Sequence, residues 1–176
     1  RETYLARFKG LVDANVESVM CAYNSTNGAP CCGNNFLISD VLRKEWGFKG
    51  HVVSDCWAIV DFYSPKGHKT VPTKEEAVAM AVKTGVNLNC GDEYPALVEA
   101  VKKGLITEKE IDEALATLLK TRFKLGMFDP AEKNPYSKLD ASVINSDKHR
   151  ALAREAALKS IVMLKNNGVL PLKNDL

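Results

Sequence analysis

Three short apolar runs, SVMCAY (18–23), GHVVS (50–54) and VNLN (86–89), are separated by stretches whose apolar residues recur at helical spacing. Tyr4, Leu5, Phe8, Leu11 and Val12 mark an amphipathic helix over residues 2–15. A second helix is predicted over 36–46, where Gly47 stops it, and a third over 74–84, where Ala77, Met80 and Ala81 share a face. Strands alternating with helices imply parallel strands joined by right-handed crossovers, and so an α/β fold. The most irregular loops follow strands rather than helices. An α/β barrel and a doubly wound sheet both place ligands at those strand ends, so the pattern leaves the two open.

The intervening stretch 24–35 (NSTNGAPCCGNN) is dense in Asn, Gly and Pro and reads as loop. Further along, 94–103 and 107–126 read as helices, the second opening with a Thr107/Glu110 capping box. Residues 129–145 contain Pro and Asn without periodicity and read as a linker, which sets a domain boundary there. Residues 146–160 are helical again, and Ile161-Val162-Met163-Leu164 starts a strand.

Composition excludes several classes. The net charge is +2 and the basic residues are spread out, clustering only in pairs such as Lys102-Lys103, so no nucleic-acid partner is expected. No apolar run approaches the roughly 20 residues that span a bilayer, so no membrane partner is expected either. Arg1-Glu2-Thr3-Tyr4 opens directly into the helical pattern, as an internal piece of a longer chain would. The five cysteines lack the paired spacing of a zinc site, and an odd number leaves at least one thiol unbridged in a monomer. GxGxxG, Walker and HExxH motifs are absent, so neither a cofactor nor a metal is expected. The oligomeric state is not legible.

The middle strand ends in an acid: HVVSDCWAI places Asp55 directly after Ser54, with Cys56 and Trp57 following. Tyr23 and Asn24 end the strand before it, and Cys90 and Asp92 the strand after. Three consecutive strand ends thus carry polar or reactive groups on one rim. A plain surface turn favours Gly or Asn and gives no reason for the neighbouring indole. Asp55 is therefore the candidate catalytic carboxylate. His51 begins a strand, while His68 and His149 fall in a loop and a helix, so a Ser-His-Asp triad lacks an obvious base.

VMCAYNSTNGAPCC, LRKEWGFKGHVVSDCWAI, AVKTGVNLNCG, KLGMFD and AREAALKSIVMLKNNGVLPL resemble, in this order, successive blocks of glycoside hydrolase family 3. The resemblance implies that residues 1–128 are the C-terminal portion, the last three βα units, of a (β/α)8 barrel. Residues 129–145 would be a linker, and 146–176 the start of an α/β sandwich domain. The family cleaves terminal β-linked sugars with retention, and its nucleophile is the aspartate of the SD motif, here Asp55. That agrees with the chemistry, because double displacement needs a carboxylate beneath the anomeric carbon and a second carboxyl group roughly 5 Å away. In the glucosidase and xylosidase branch the resemblance puts that acid/base beyond Leu176 and the groups that clamp sugar hydroxyls before Arg1, so the isolated chain is expected to be inactive.

Met20 and Tyr23 match positions lining the terminal-sugar subsite, and Tyr23 is expected to donate to the Asp55 carboxylate. Many family β-glucosidases carry Trp immediately after the nucleophile, whereas here Cys56 stands there and Trp57 follows. SDC together with NCG around Cys90 resembles the β-xylosidase branch, which favours β-D-xylosyl over β-D-glucosyl substrates. Cys56 and Cys90 end neighbouring strands roughly 4.8 Å apart, within the roughly 4.4–6.8 Å that a disulfide spans. A bridge there would crowd the hydroxymethyl group that only glucose carries, and would imply a secreted or periplasmic setting. The other rim carboxylates are Asp92 and Glu93, the latter expected at a helix start where acids serve the dipole. The competing reading is a non-catalytic, truncated carbohydrate-binding or scaffold piece.

Overall fold

In the computed structural model, which describes residues 1–172, the central strand is β4 (His51–Ser54). It pairs in parallel with β1 (Ser18–Cys21), Ser18 facing His51 and Cys21 facing Ser54. On its other side Val53 faces Leu88, also in parallel. Val52 at 0% and Ser54 at 1% exposure show one face of β4 fully covered, while the other carries buried His51 and half-buried Val53. The strand expected over 86–89 is reduced to that single bridge, because an amide replaces part of the ladder. Asn87 Oδ1 accepts from Val52 N (2.9 Å) and from Arg43 Nη2 (2.9 Å), while Asn87 N and Leu88 N both donate to Val52 O.

Helices cover these strands. α1 (Leu5–Asp13) precedes β1, and α2 (Lys74–Thr84) leads to the 86–89 segment. α2 starts at a capping box, in which Glu76 N donates to Thr73 Oγ1 and Thr73 N to Glu76 Oε2. It stops at Gly85, whose φ of 117° suits a residue without Cβ. Its Ala77, Val78 and Ala81 are fully buried against a core that includes Ile59, Phe62, Val86 and Ala100. Phe62→Ala in that core would cost about 3–5 kcal/mol. α3 (Leu97–Lys102) is preceded by a 3-10 turn over Tyr94–Ala96 rather than being helical from its first residue. α4 (Glu108–Lys124) has the expected Thr107/Glu110 box.

Two local expectations change. Phe36–Glu45 winds as a π-helix, with Trp46 N donating five residues back to Val41 O. The stretch 24–35 is not plain loop. β2 (Ser25–Thr26) and β3 (Ala29–Pro30) form a hairpin across Asn27-Gly28, both at positive φ, as a type I′ turn requires. That reversal carries Cys32 back to Cys21, and the two form a disulfide with Cα atoms 5.1 Å apart. Neither feature is anticipated by reading 24–35 as loop.

The chain divides into two compact units, Arg1–Phe128 and Asp129–Leu176. In the second, 3-10 turns over Ala131–Lys133 and Ala141–Val143 lead to α5 (Asp147–Ser160), capped by Ser146 through His149 N. The strand expected from Ile161 does not form among the described residues, and the last four residues of the 146–176 range lie outside them. No helix among the described residues is long and apolar enough to cross a membrane.

Candidate active site

The parallel ladder extends one residue past β4: Asp55 N donates to Cys21 O at 2.9 Å, just as Ser54 N donates to Leu88 O on the other side. Asp55 is thereby fixed at the strand end by its own backbone, and its side chain remains half-buried. Cys56 N donates to Asp55 Oδ1 at 2.7 Å. Among the described residues Oδ2 has no hydrogen-bond partner, so one oxygen is held and the other is available.

The next two residues bind the 54–57 turn to the segment after Leu88. Cys56 and Cys90 form a disulfide with Cα atoms 4.3 Å apart, as neighbouring strand ends allow. Trp57 N donates to Cys90 O at 2.6 Å. Trp57 sits at φ 62°, an unfavourable region for a bulky residue, and the residue is 59% exposed two positions after Asp55. Strained, exposed aromatic residues of this kind concentrate at functional sites. Nothing in the sequence read as strand then turn announces that conformation.

Tyr23 reaches this turn, but not in the expected way. Its hydroxyl donates to the backbone carbonyl of Cys56, not to the Asp55 carboxylate. The chain takes a left-handed step at Trp57, directly after that carbonyl, and Asp55 Oδ1 accepts from Cys56 N. Burial, then the negative charges of Asp55 and Asp61, push the Tyr23 phenol up, so it stays a donor. His68 Nε2 donates to Tyr23 O at 2.7 Å, which ties the 61–68 loop to the same rim.

The structure thus brings Tyr23, Asp55, Cys56 and Cys90 together. Met20, half exposed on β1, is not brought into this group. It lines a separate apolar cleft of about 470 Å³ with Phe8, Leu37 and Trp46, which Tyr23, Asp55, Cys56 and Cys90 do not line. Glu93 departs from its expected role. It begins the Tyr94–Ala96 turn but makes no cap bond, and its side chain turns inward to 1% exposure. Its Oε2 accepts from Asn89 Nδ2 at 2.9 Å. Gly91 is the local signal for that placement, since a Cβ there would come 2.4 Å from Glu93 Oε2. Cys31 is the one unbridged cysteine among the described residues.

A half-buried carboxylate at the carboxyl end of a parallel strand, with one oxygen held and one available, lies where α/β folds place their ligands. Residues 1–121 match the glycosyl hydrolase family 3 N-terminal domain, and the chain belongs to that family. It is 45% identical over 177 residues to a probable exo-1,4-beta-xylosidase of Aspergillus clavatus, covering 98% of this chain and 23% of that protein. It is 42% identical to a xylan 1,4-beta-xylosidase of Xylanibacter ruminicola, covering 99% of this chain and 20% of the relative. The chain therefore spans about a fifth of the length of these curated relatives. Among solved structures, a family 3 exo-beta-xylosidase in complex with a xylobiose aziridine activity-based probe superposes with a TM-score of 0.83 at 33% identity. That match covers 93% of this chain and 21% of the other. A β-glucosidase of Erythrobacter marinus also gives 0.83, at 32% identity over 96% of this chain and 22% of its own.

Proposed function

We propose that this chain is the nucleophile-bearing part of a retaining, exo-acting β-glycosidase that removes terminal β-D-xylosyl residues from plant-type oligosaccharides. Residues 1–128 supply the last three βα units of a (β/α)8 barrel, 129–145 a linker and 146–176 the start of an α/β sandwich. Asp55 attacks the anomeric carbon with its unbonded oxygen. The glycosidic C–O bond breaks as the leaving oxygen takes a proton from an acid supplied by the longer protein. Water then attacks the same carbon, its proton returns to that residue, and Asp55 is released with overall retention. Tyr23 holds the turn by its bond to Cys56 O, and Met20 borders the sugar.

The observation that carries this reading is the half-buried Asp55 carboxylate at the end of the central parallel strand, with one oxygen held and one available. The Cys56–Cys90 bridge directly after the nucleophile supports xylose over glucose, since sulfurs at that place would crowd the hydroxymethyl group that only glucose carries. Two disulfides in the first unit also favour an oxidising compartment, secreted or periplasmic. The test is hydrolysis of nitrophenyl β-xyloside and β-glucoside by the full-length polypeptide and by residues 1–176 alone. The expected result is xyloside-selective turnover by the former and none by the latter. Glucoside preference would reassign the substrate, and inactivity of the full-length protein would favour a binding or scaffold role.

A further inference from the structure

Glu93 is buried to 1% exposure and enters no ion pair among the described residues, although carboxylates are rarely covered without a cation. Its position explains what it does. Oε2 accepts from Asn89 Nδ2 at 2.9 Å, which turns the amide oxygen toward Ser54. Ser54 Oγ donates to that oxygen at 3.1 Å and accepts from Cys90 N at 2.9 Å. Cys90 O in turn accepts from Trp57 N at 2.6 Å. A chain of directed bonds therefore runs from Glu93 to Ser54, the residue before Asp55, and to Trp57, two residues after it.

We propose that Glu93 is a positioning residue for Asp55: a buried acceptor that fixes the Asn89 amide and, through Ser54, the backbone on both sides of the nucleophile. This rests on the reading of Asp55 as nucleophile. Without an acceptor at 93 the amide of Asn89 can invert, presenting Nδ2 to Ser54 Oγ and leaving the Ser54 proton without its partner. The strand end then loses its fixed direction, and a displacement of about 1 Å at a reacting group costs on the order of 100-fold in rate. Glu93 does not itself reach substrate, because it is covered by protein.

The test uses the full-length polypeptide on nitrophenyl β-xyloside. Glu93→Leu removes the acceptor and should lower kcat at least about tenfold with KM little changed. Glu93→Gln keeps an amide oxygen for Asn89 and should stay within about threefold of wild type. Asn89→Asp sets carboxylate against carboxylate and should lose at least about tenfold. Combining it with Glu93→Gln restores a donor facing an acceptor and should recover most of that loss. A packing role would leave the double variant no better than Asn89→Asp, and that result, or wild-type kcat in Glu93→Leu, overturns the proposal. If Glu93→Leu does not fold, the Asn89→Asp pair decides. Asp55→Ala run beside them separates the two claims: an active Asp55→Ala sinks the nucleophile reading, whereas an inactive one with a flat Glu93 series sinks only the positioning role.

Discussion

At the amino-terminal ends of β1 and β4, Glu17 meets a full set of partners. Thr121 Oγ1 donates to Oε1 at 2.9 Å and Lys124 Nζ to Oε2 at 2.8 Å, and Thr121 accepts in turn from His51 Nδ1 at 3.0 Å. The Lys124 hydrogen bond chiefly holds the Glu17 carboxyl below its ordinary value, against a push upward from burial, with the Thr121 bond adding a lesser pull down. At the carboxyl ends of the same strands, the Asp55 carboxylate has one backbone bond and an unbonded oxygen, with the exposed Trp57 two residues on. One scaffold therefore holds two carboxylates for opposite purposes. The saturated one ties α4 to the strands, and the under-coordinated one is the proposed nucleophile, with an oxygen left unbonded. In barrels the same division separates the stabilising face from the catalytic face.

The comparison breaks most visibly through Asp55. Asp55→Ala in the full-length protein should lower turnover by orders of magnitude and leave the melting temperature nearly unchanged, with azide partly restoring turnover as the inverted glycosyl azide. Retention of more than about a tenth of activity would mean barely 1.4 kcal/mol of barrier was involved, too little for a nucleophile. Next comes the bridge beside it. The Cys56–Cys90 link spans 34 positions and Cys21–Cys32 spans 11, so chain entropy assigns them about 4 and about 3 kcal/mol. Cys90→Ala should lower the denaturant midpoint more than Cys32→Ala, and should raise glucoside over xyloside efficiency. An unchanged substrate ratio removes the steric argument whatever the stability does.

The smallest effects belong to the opposite end. Glu17→Gln should leave kcat/KM unchanged and cost at most about 1 kcal/mol, since this pair is partly solvated. Both groups there have depressed folded values, His51 chiefly because burial disfavours its charged form and Glu17 chiefly through Lys124. Their stabilisation is full above the unfolded values of 6.5 and 4.5 and is lost as pH falls through the folded ones. Melting temperature should therefore begin to fall below about pH 6.5. Glu17 favours the charged form of His51, so the gap between wild type and Glu17→Gln should hold or grow as His51 protonates. It should close only as Glu17 itself protonates below about pH 4.5, and a gap that persisted after that would contradict the assignment.

What was legible in the sequence is what local rules decide. α2 and α4 begin at Thr73 and Thr107 because a hydroxyl and a glutamate three residues on satisfy the same helix end. The strands 18–23 and 50–54 shorten by one or two residues but stay where the apolar runs put them, and Asp55 stays at the strand end. The rest depended on where the backbone turned. Asn27-Gly28 was a hairpin signal hidden inside a run dense in turn residues, and with it went the Cys21–Cys32 bridge. The period of apolar residues in Phe36–Glu45 does not separate a π-helix from an ordinary one. Tyr23 lost its expected acceptor to the Cys56 carbonyl, and Glu93 turned inward where a dipole rule assumed it faced water. In the second unit Ser146 announced α5, but Leu164, predicted in a strand, is 93% exposed. An apolar run gives strand propensity without naming what it pairs with.

The central claim is that Asp55 carries the sugar during turnover, and trapping that species tests it most directly. The full-length protein, incubated with a 2-deoxy-2-fluoro-β-xyloside bearing a good leaving group, should gain the mass of one fluoroxylosyl unit. After digestion the added mass should lie on the peptide containing Asp55, and Asp55→Ala should take up none. Labelling of a different carboxylate, or of Asp55→Ala to the same extent as wild type, would contradict the account.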